Sequence, residues 1–381
     1  MEIRAVAQSR QLEKISALTS LRFFAALFVV LYHMADIYMP WIRQIPALWD
    51  FIALGYTSVS FFFFLSGYIL GVAYLRRGGP VAAASFYRAR FARVYPLFFI
   101  TLIWDAPFLF INRWSAYGLK IAVFKTAITF ISNIFMIQAW FSLLRGINNP
   151  NWSLSVETLF YLIFPFLGVV LWRLRGIKLW LTFALIYLGG QALVLVLPHE
   201  ITSEKIELLP FVHVTTFALG ILLARWEWLK KQEKNDMARR ASPGVLTLVT
   251  ILALAGFGAA VYWAPGENEN LRDGLLAPVF AALIWAFSHS DWSFAKVLSA
   301  PWLVVLGEAS FGLYLLQVPV FHVFLALGWT RNPMLFPVYL MTAIGLSVIS
   351  FYYFEGPMRR RLLKSSMIHI KETMELASDA Q

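Results

Sequence analysis

Cysteine is absent from this 381-residue chain, which excludes disulfides, thiolate metal sites and cysteine nucleophiles. Charge is scarce: 14% of residues are charged against 60% hydrophobic, and the mean hydropathy is +0.67. A soluble domain of this length needs more charge to cover its surface. The six histidines form no HxxxH or HExxH pair, so no metal site is expected. The sequence also lacks internal repeats, low-complexity tracts and any stretch long enough for a soluble domain. No small-residue cleavage site follows Arg4, Arg10, Glu13 and Lys14, so the first apolar run reads as a signal anchor that stays attached.

What fills the chain is apolar sequence. Eleven runs, at about 17–39, 51–75, 94–112, 120–140, 153–172, 178–197, 207–226, 244–263, 273–289, 301–327 and 334–356, suit a hydrocarbon core about 30 Å thick. They are continuously apolar rather than alternating, and each must satisfy its own backbone, so they read as helices. The expected fold class is all-α, a polytopic membrane helical bundle.

The net charge of +11 would suggest nucleic acid in a soluble protein, but here the basic residues sit in short loops and no nucleic-acid partner is expected. They cluster at 76–93 (Arg76, Arg77, Arg88, Arg90, Arg93), 173–178, 225–240 and 358–364, while 198–207 and 264–273 are acidic or poor in Lys and Arg. The positive-inside rule places the first set and the N-terminus in the cytoplasm. Between 76–93 and 173–178 the chain must cross an even number of times. Of the three runs there, 120–140 is the weakest, with Lys120, Lys125, Ser132, Asn133 and Gln138. It is expected as a re-entrant or interfacial helix on the far side. About ten transmembrane helices remain, with a cytoplasmic segment 1–16, a membrane domain 17–357, a basic tail 358–381 and both termini cytoplasmic.

Ionisable residues inside membrane helices are functional candidates, because placing them there costs several kcal/mol. Arg22 and His33 are eleven positions apart, about three helical turns, so they share a face. Arg22 reads either as a snorkelling anchor or as a site residue, and His33 as a site residue or an imidazole bonded to a neighbouring helix. In Phe61 to Tyr68, the small Ser66 and Gly67 allow a helix or a ligand to approach closely. Arg90 and Arg93 share a face, with Tyr87 and Phe91 beside them. Their forks suit phosphate, of a donor or of lipid headgroups, and the aromatics suit a stacked base. Ser153 and Ser155 are helix-capping candidates ahead of Glu157, a carboxylate expected in the half of the membrane that holds His33. Glu308 reads as interfacial, and His213 and His322 as satisfied core histidines.

Together these segments resemble acyltransferase family 3, multi-pass O-acyltransferases of bacterial polysaccharides and related glycans, from about Leu18 to Pro357. The family's Arg-x10-His pattern is met by Arg22 and His33, FFFxLSG by Phe61 through Gly67, and WSLSxE by Trp152 through Glu157. RRxxRxxP is met by Arg90, Arg93 and Pro96, with Ala89 at the first arginine and Arg88 one position away. In the stretch from Ser310, Gln317 stands where a histidine is common.

The resemblance implies acetyl-CoA as acyl donor and a polysaccharide or lipid-linked glycan hydroxyl as acceptor. It implies His33 as catalytic base or acyl carrier with Glu157 as its orienting partner. Arg22, Arg88, Arg90, Arg93, Ser66 and Gly67 would lie on the donor side, and Trp152, Ser153, Ser155 and Tyr68 on the acceptor side. The implied setting is the bacterial inner membrane, among lipids and polysaccharide-assembly proteins. The alternative from a different class is a proton-coupled secondary transporter using Arg22, His33 and Glu157 as a relay.

Overall fold

The computed structural model describes residues 15–76, 80–141, 144–196, 210–233, 241–263, 274–289 and 292–364. The acidic loops at 198–207 and 264–273, most of the N-terminal segment, part of the 225–240 basic cluster and the tail after 364 lie outside the described residues. Every regular element described is helical: α1 (Ser16–Tyr38), α2 (Pro46–Ala53), α3 (Thr57–Leu70), α4 (Ala83–Tyr117), α5 (Leu119–Ile134), α6 (Trp152–Trp172), α7 (Gly176–Val196), α8 (Val214–Glu233), α9 (Pro243–Trp263), α10 (Ala277–Phe287), α11 (Ser293–Leu298), α12 (Pro301–Ala326) and α13 (Phe336–Ser350).

Among the described residues, eight helical stretches are long and apolar enough to cross a membrane. Helix α8 has the length but carries Arg225, Glu227, Lys230, Lys231 and Glu233, and α10 has only 11 residues. Helix α5, in the region expected not to cross, has 16 residues. At about 1.5 Å per residue it reaches about 24 Å, short of a core of about 30 Å. Gly118, with a φ of +78°, makes the turn between α4 and α5 that a side chain would strain.

Two boundaries differ from the sequence reading. Helix α4 begins at Ala83, so Arg88, Arg90 and Arg93 lie on its first turns rather than in a loop. After α13 the chain passes through a π-helical turn, Phe351–Glu355, and stays helical to Lys364, so Arg359 and Arg360 continue a helix. In both places the helix is set by packing against the bundle, which local charge does not report.

Glycines let the central helices touch backbone to backbone. A Cβ on Gly67 would fall 2.0 Å from the Phe217 carbonyl oxygen, and one on Gly220 would fall 2.0 Å from that of Phe64, so α3 and α8 cross at a reciprocal glycine pair. Gly307 of α12 meets Thr19 of α1 in the same way. From that crossing α1 and α12 run in the same direction, because His33 reaches Gln317 and Tyr38 reaches Phe321 farther along. Helix α4 runs with them, bringing Asp105 to His322, whereas α6 runs against α4, with Tyr87 bonded to the Leu162 carbonyl. The outlying α7 and α9 expose large apolar side chains such as Leu185 and Leu252, a surface suited to lipid.

The glycine crossing yields a stability prediction. Gly220→Leu should lower the thermal unfolding temperature of the purified protein in detergent, from overpacking worth about 1–3 kcal/mol. Gly189→Leu should leave it unchanged, since a Cβ there meets nothing within 4 Å.

Candidate active site

One cavity of about 160 Å³ opens among α1, α3, α4, α6 and α12. Arg22, Ser66, Arg90, Arg93, Ser153, Glu157, Tyr161, Ser310 and Tyr314 contribute to its lining. Five of the helices thus converge residues from sequence segments more than 280 positions apart, Arg22 to Ser310, on one small space.

The charge arrangement follows from helix geometry. Arg90 and Arg93, one turn apart on α4, face the cavity, while Arg22 enters from α1. Three guanidinium groups meet one lining carboxylate, Glu157, with Glu308, Glu355 and Arg359 within Coulombic range behind them. Glu355 is placed by the π-helical turn after α13, which sets its Oε1 against Gly312 of α12 and within 3.3 Å of the Ser350 hydroxyl. Arg90 is ringed by Tyr74, Phe86 and Tyr161, with its guanidinium carbon 5.7–5.9 Å from each ring centre. One of its nitrogens lies 3.3 Å from the Tyr74 hydroxyl, and among the described residues its buried Nε has no partner. A buried donor without an acceptor in a guanidinium-lined cavity is the complement of an anion such as phosphate.

Glu157 accepts a hydrogen bond from the Tyr161 hydroxyl one turn on, at 2.5 Å. The Ser153 and Tyr314 hydroxyls are 2.7 Å apart and each lies 3.0 Å from the Pro150 carbonyl oxygen, so that one donates to this oxygen and the other to its fellow hydroxyl, which stitches α6 to α12. His33 does not line the cavity. Its Nδ1 lies 3.1 Å from Oε1 of Gln317, whose Nε2 donates to the Tyr314 carbonyl oxygen, and Tyr339 donates to the Gln317 carbonyl oxygen. His33 therefore connects to the cavity through Gln317 and Tyr314, and the hydrogen bond seen for Glu157 is to Tyr161.

The remaining sequence candidates divide between this cavity and the scaffold. Ser66 lines the cavity, while its neighbour Gly67 faces α8 at the glycine crossing. Arg88 is half-buried on α4 outside the cavity lining. Ser155 accepts a 3.4 Å hydrogen bond from the Ala139 backbone, holding the 135–151 connection. Trp152 packs edge-on against Phe63 and tilts over His213, which is fully buried. Tyr68 belongs to a second buried network, where Glu227 accepts from its hydroxyl and from Ser288 at 2.6 Å each and pairs with Arg76 at 3.5 Å. Tyr87 bonds the Leu162 carbonyl and Phe91 stacks on Tyr95, so the aromatics around Arg90 are others than those the sequence suggested.

Sequence reasoning passed over several residues. Tyr161 was within reach, one helical turn from Glu157 on an apolar helix. Asp105, buried in α4, holds His322 at 2.5 Å, a pairing across 217 positions that no spacing rule reveals. Glu308, which reads as interfacial in the sequence, is half-buried and within Coulombic range of Arg22.

The comparisons agree with this geometry. The family model described as an acyltransferase domain, Acyl_transf_3, matches residues 15–352. The acyltransferase MdmB of Streptomyces mycarofaciens is 30% identical over 81% of this chain and 79% of its own length. The O-acetyltransferase OatA of Staphylococcus aureus strain MRSA252 is 25% identical over 94% of this chain, which spans only 60% of that relative's length. Nodulation protein 10 of Rhizobium leguminosarum bv. viciae is 25% identical over 91% of this chain and 94% of its own. No solved structure matches. A polytopic helical bundle with a buried arginine-lined cavity and this family match is a multi-pass membrane O-acyltransferase, and the chain belongs to acyltransferase family 3.

Proposed function

We propose that the chain transfers an acyl group, acetyl, from cytoplasmic acyl-CoA to a hydroxyl of a cell-surface or exported polysaccharide or glycan, in the cytoplasmic membrane of a bacterium. The observation that carries this is the convergence of Arg22, Arg90, Arg93 and Glu157 on one cavity with hydroxyl-bearing Ser66, Ser153 and Tyr314. The partnerless Arg90 Nε supplies the fit for a phosphate-bearing donor. The name of the OatA relative supports acetyl and an oxygen acceptor.

When bound, acetyl-CoA would supply an activated acyl thioester. Arg22, Arg90 and Arg93 would hold its phosphates, and the thiolate that departs when the thioester breaks would take up the proton collected by the base. The Ser153–Tyr314 pair lines the same cavity, where a hydroxyl turned away from the Pro150 carbonyl would donate to the oxyanion that forms on the acyl carbonyl. His33, held by Gln317, is assigned as the base that takes the proton of the acceptor hydroxyl as its oxygen bonds to the acyl carbon. Glu157 counters the arginines and orients Tyr161. A transport relay leaves the arginine cavity without a task, and no relative reported above is named as a transporter.

Purified protein in nanodiscs, given labelled acetyl-CoA and a panel of oligosaccharides, tests the reading directly. Transfer of label to a hydroxyl is expected; proton-coupled uptake into liposomes without label transfer would replace it with transport. His33→Ala should abolish transfer while the protein still inserts, and unaltered turnover would remove His33 from the chemistry. Arg93→Ala should raise the KM for acetyl-CoA about tenfold or more, the loss of a charged hydrogen bond. The KM for acceptor should stay within about twofold, and an unchanged donor KM would reassign this arginine to lipid contact.

A further inference from the structure

A second polar cluster lies near the far end of α12 from the arginines. His322 is twelve residues beyond Ser310 on that helix, about 18 Å along its axis. Asp105 of α4 holds it: Oδ1 of the carboxylate lies 2.5 Å from His322 Nδ1, and Oδ2 accepts the Asn148 backbone N–H at 2.6 Å. Asp105 is 1% exposed and the His322 side chain 21%, with the Phe108 ring stacked on the imidazole at 5.1 Å.

Among the described residues, both residues held by this carboxylate keep one polar atom for which no protein partner is seen. With Nδ1 turned to Asp105, the His322 ring presents Nε2 on its other side, and among the described residues no hydrogen bond to that nitrogen is seen. The Asn148 amide is oriented by its Nδ2 bond to the Leu315 carbonyl oxygen at 2.8 Å, which leaves its Oδ1 buried and without a donor. Asn148 also has a φ of +47°, in the left-handed region that asparagine adopts more readily than most residues with a side chain. Three positions on, both polar atoms of the buried Asn151 amide lack partners as well. Orphaned buried amide atoms on Asn148 and Asn151, three positions apart, are costly unless something binds there.

We infer that His322 and Asn148, positioned by Asp105, form the subsite that binds the hydroxyls of the acyl acceptor, a neutral polyhydroxylated glycan. A sugar hydroxyl can donate to the Asn148 Oδ1 and can either donate to or accept from His322 Nε2, while the Asp105 carboxylate beside them disfavours the donor's pyrophosphate. The 18 Å offset also separates this subsite from the arginines, as a two-sided transfer requires. It rests on the acyl-transfer reading above and adds which residues meet the second substrate.

The test uses the full chain in nanodiscs, with labelled acetyl-CoA and whichever oligosaccharide the wild type acetylates. His322→Phe keeps the ring stack but removes Nε2, and Asn148→Gly keeps the left-handed backbone but removes Oδ1. Each should raise the acceptor KM about tenfold, one lost hydrogen bond, with the acetyl-CoA KM within about twofold. His322→Gln, whose amide can both donate to Asp105 and accept a hydroxyl, should recover most of the acceptor affinity. Acceptor KM unchanged in both His322→Phe and Asn148→Gly overturns the subsite while leaving the acyltransferase reading intact. So does an equal rise in both KM values, which marks a general structural defect. No acetylation of any oligosaccharide by the wild type overturns the acyl-transfer reading, and the subsite falls with it.

Discussion

A guanidinium group inside an apolar helical bundle is stable only where carboxylates, hydroxyls and aromatic faces from other helices surround it. Arg22, Arg90 and Arg93 impose that requirement on this protein. Glu157 answers from α6, Glu308 from α12 and Glu355 from the turn after α13, while Tyr74, Phe86 and Tyr161 enclose Arg90. Since the lining arginines come from α1 and α4 and the carboxylates from α6, α12 and the turn after α13, the charges tie the bundle together at the place where the chemistry is assigned. The incomplete satisfaction of Arg90 is then informative, because a structural ion pair would have closed it.

The glycine crossings and the arginine cluster are complementary constraints. Backbone contact at Gly67–Phe217 and Gly220–Phe64 fixes α3 against α8, and contact at Gly307–Thr19 fixes α12 against α1. With α1, α4 and α12 running the same way and α6 opposed to them, the polar residues form a continuous line. It passes from the arginines through Ser153 and Tyr314 to Gln317 and His33, with Asp105 and His322 off to the α4 side. In lipid, where apolar side chains gain nothing by leaving the solvent for one another, such close contacts and hydrogen bonds are what select one packing.

Much of this was legible in the sequence. The helical membrane class followed from the apolar runs. Arg22, Arg90, Arg93 and Glu157 stood out because each is costly in lipid, and the cavity gathers all four. The partner of a buried residue was not legible. Local periodicity gives the face a side chain occupies but not which helix it meets, so His33 was expected beside a glutamate and the structure sets it on Gln317. The same limit hid Asp105 and its pairing with His322, a histidine read only as a satisfied core residue. Ser66 and Gly67 show the resolution of the method: adjacent small residues point about 100° apart, so one borders the cavity and the other touches a helix. Helix ends were obscured where arginine density suggested a loop, as on α4.

The π-helical turn at Phe351–Glu355 acts as a phase setter for everything beyond it. One extra residue in a helical turn advances the following face by about 100° relative to an uninterrupted α-helix. Glu355 and Arg359 owe their azimuth to that added residue, so the chain's last helical stretch is indexed to the arginine cavity much as a gear tooth is to its neighbour. A frame of this kind tolerates changes of residue type along the helix far more readily than a change in the number of residues it contains.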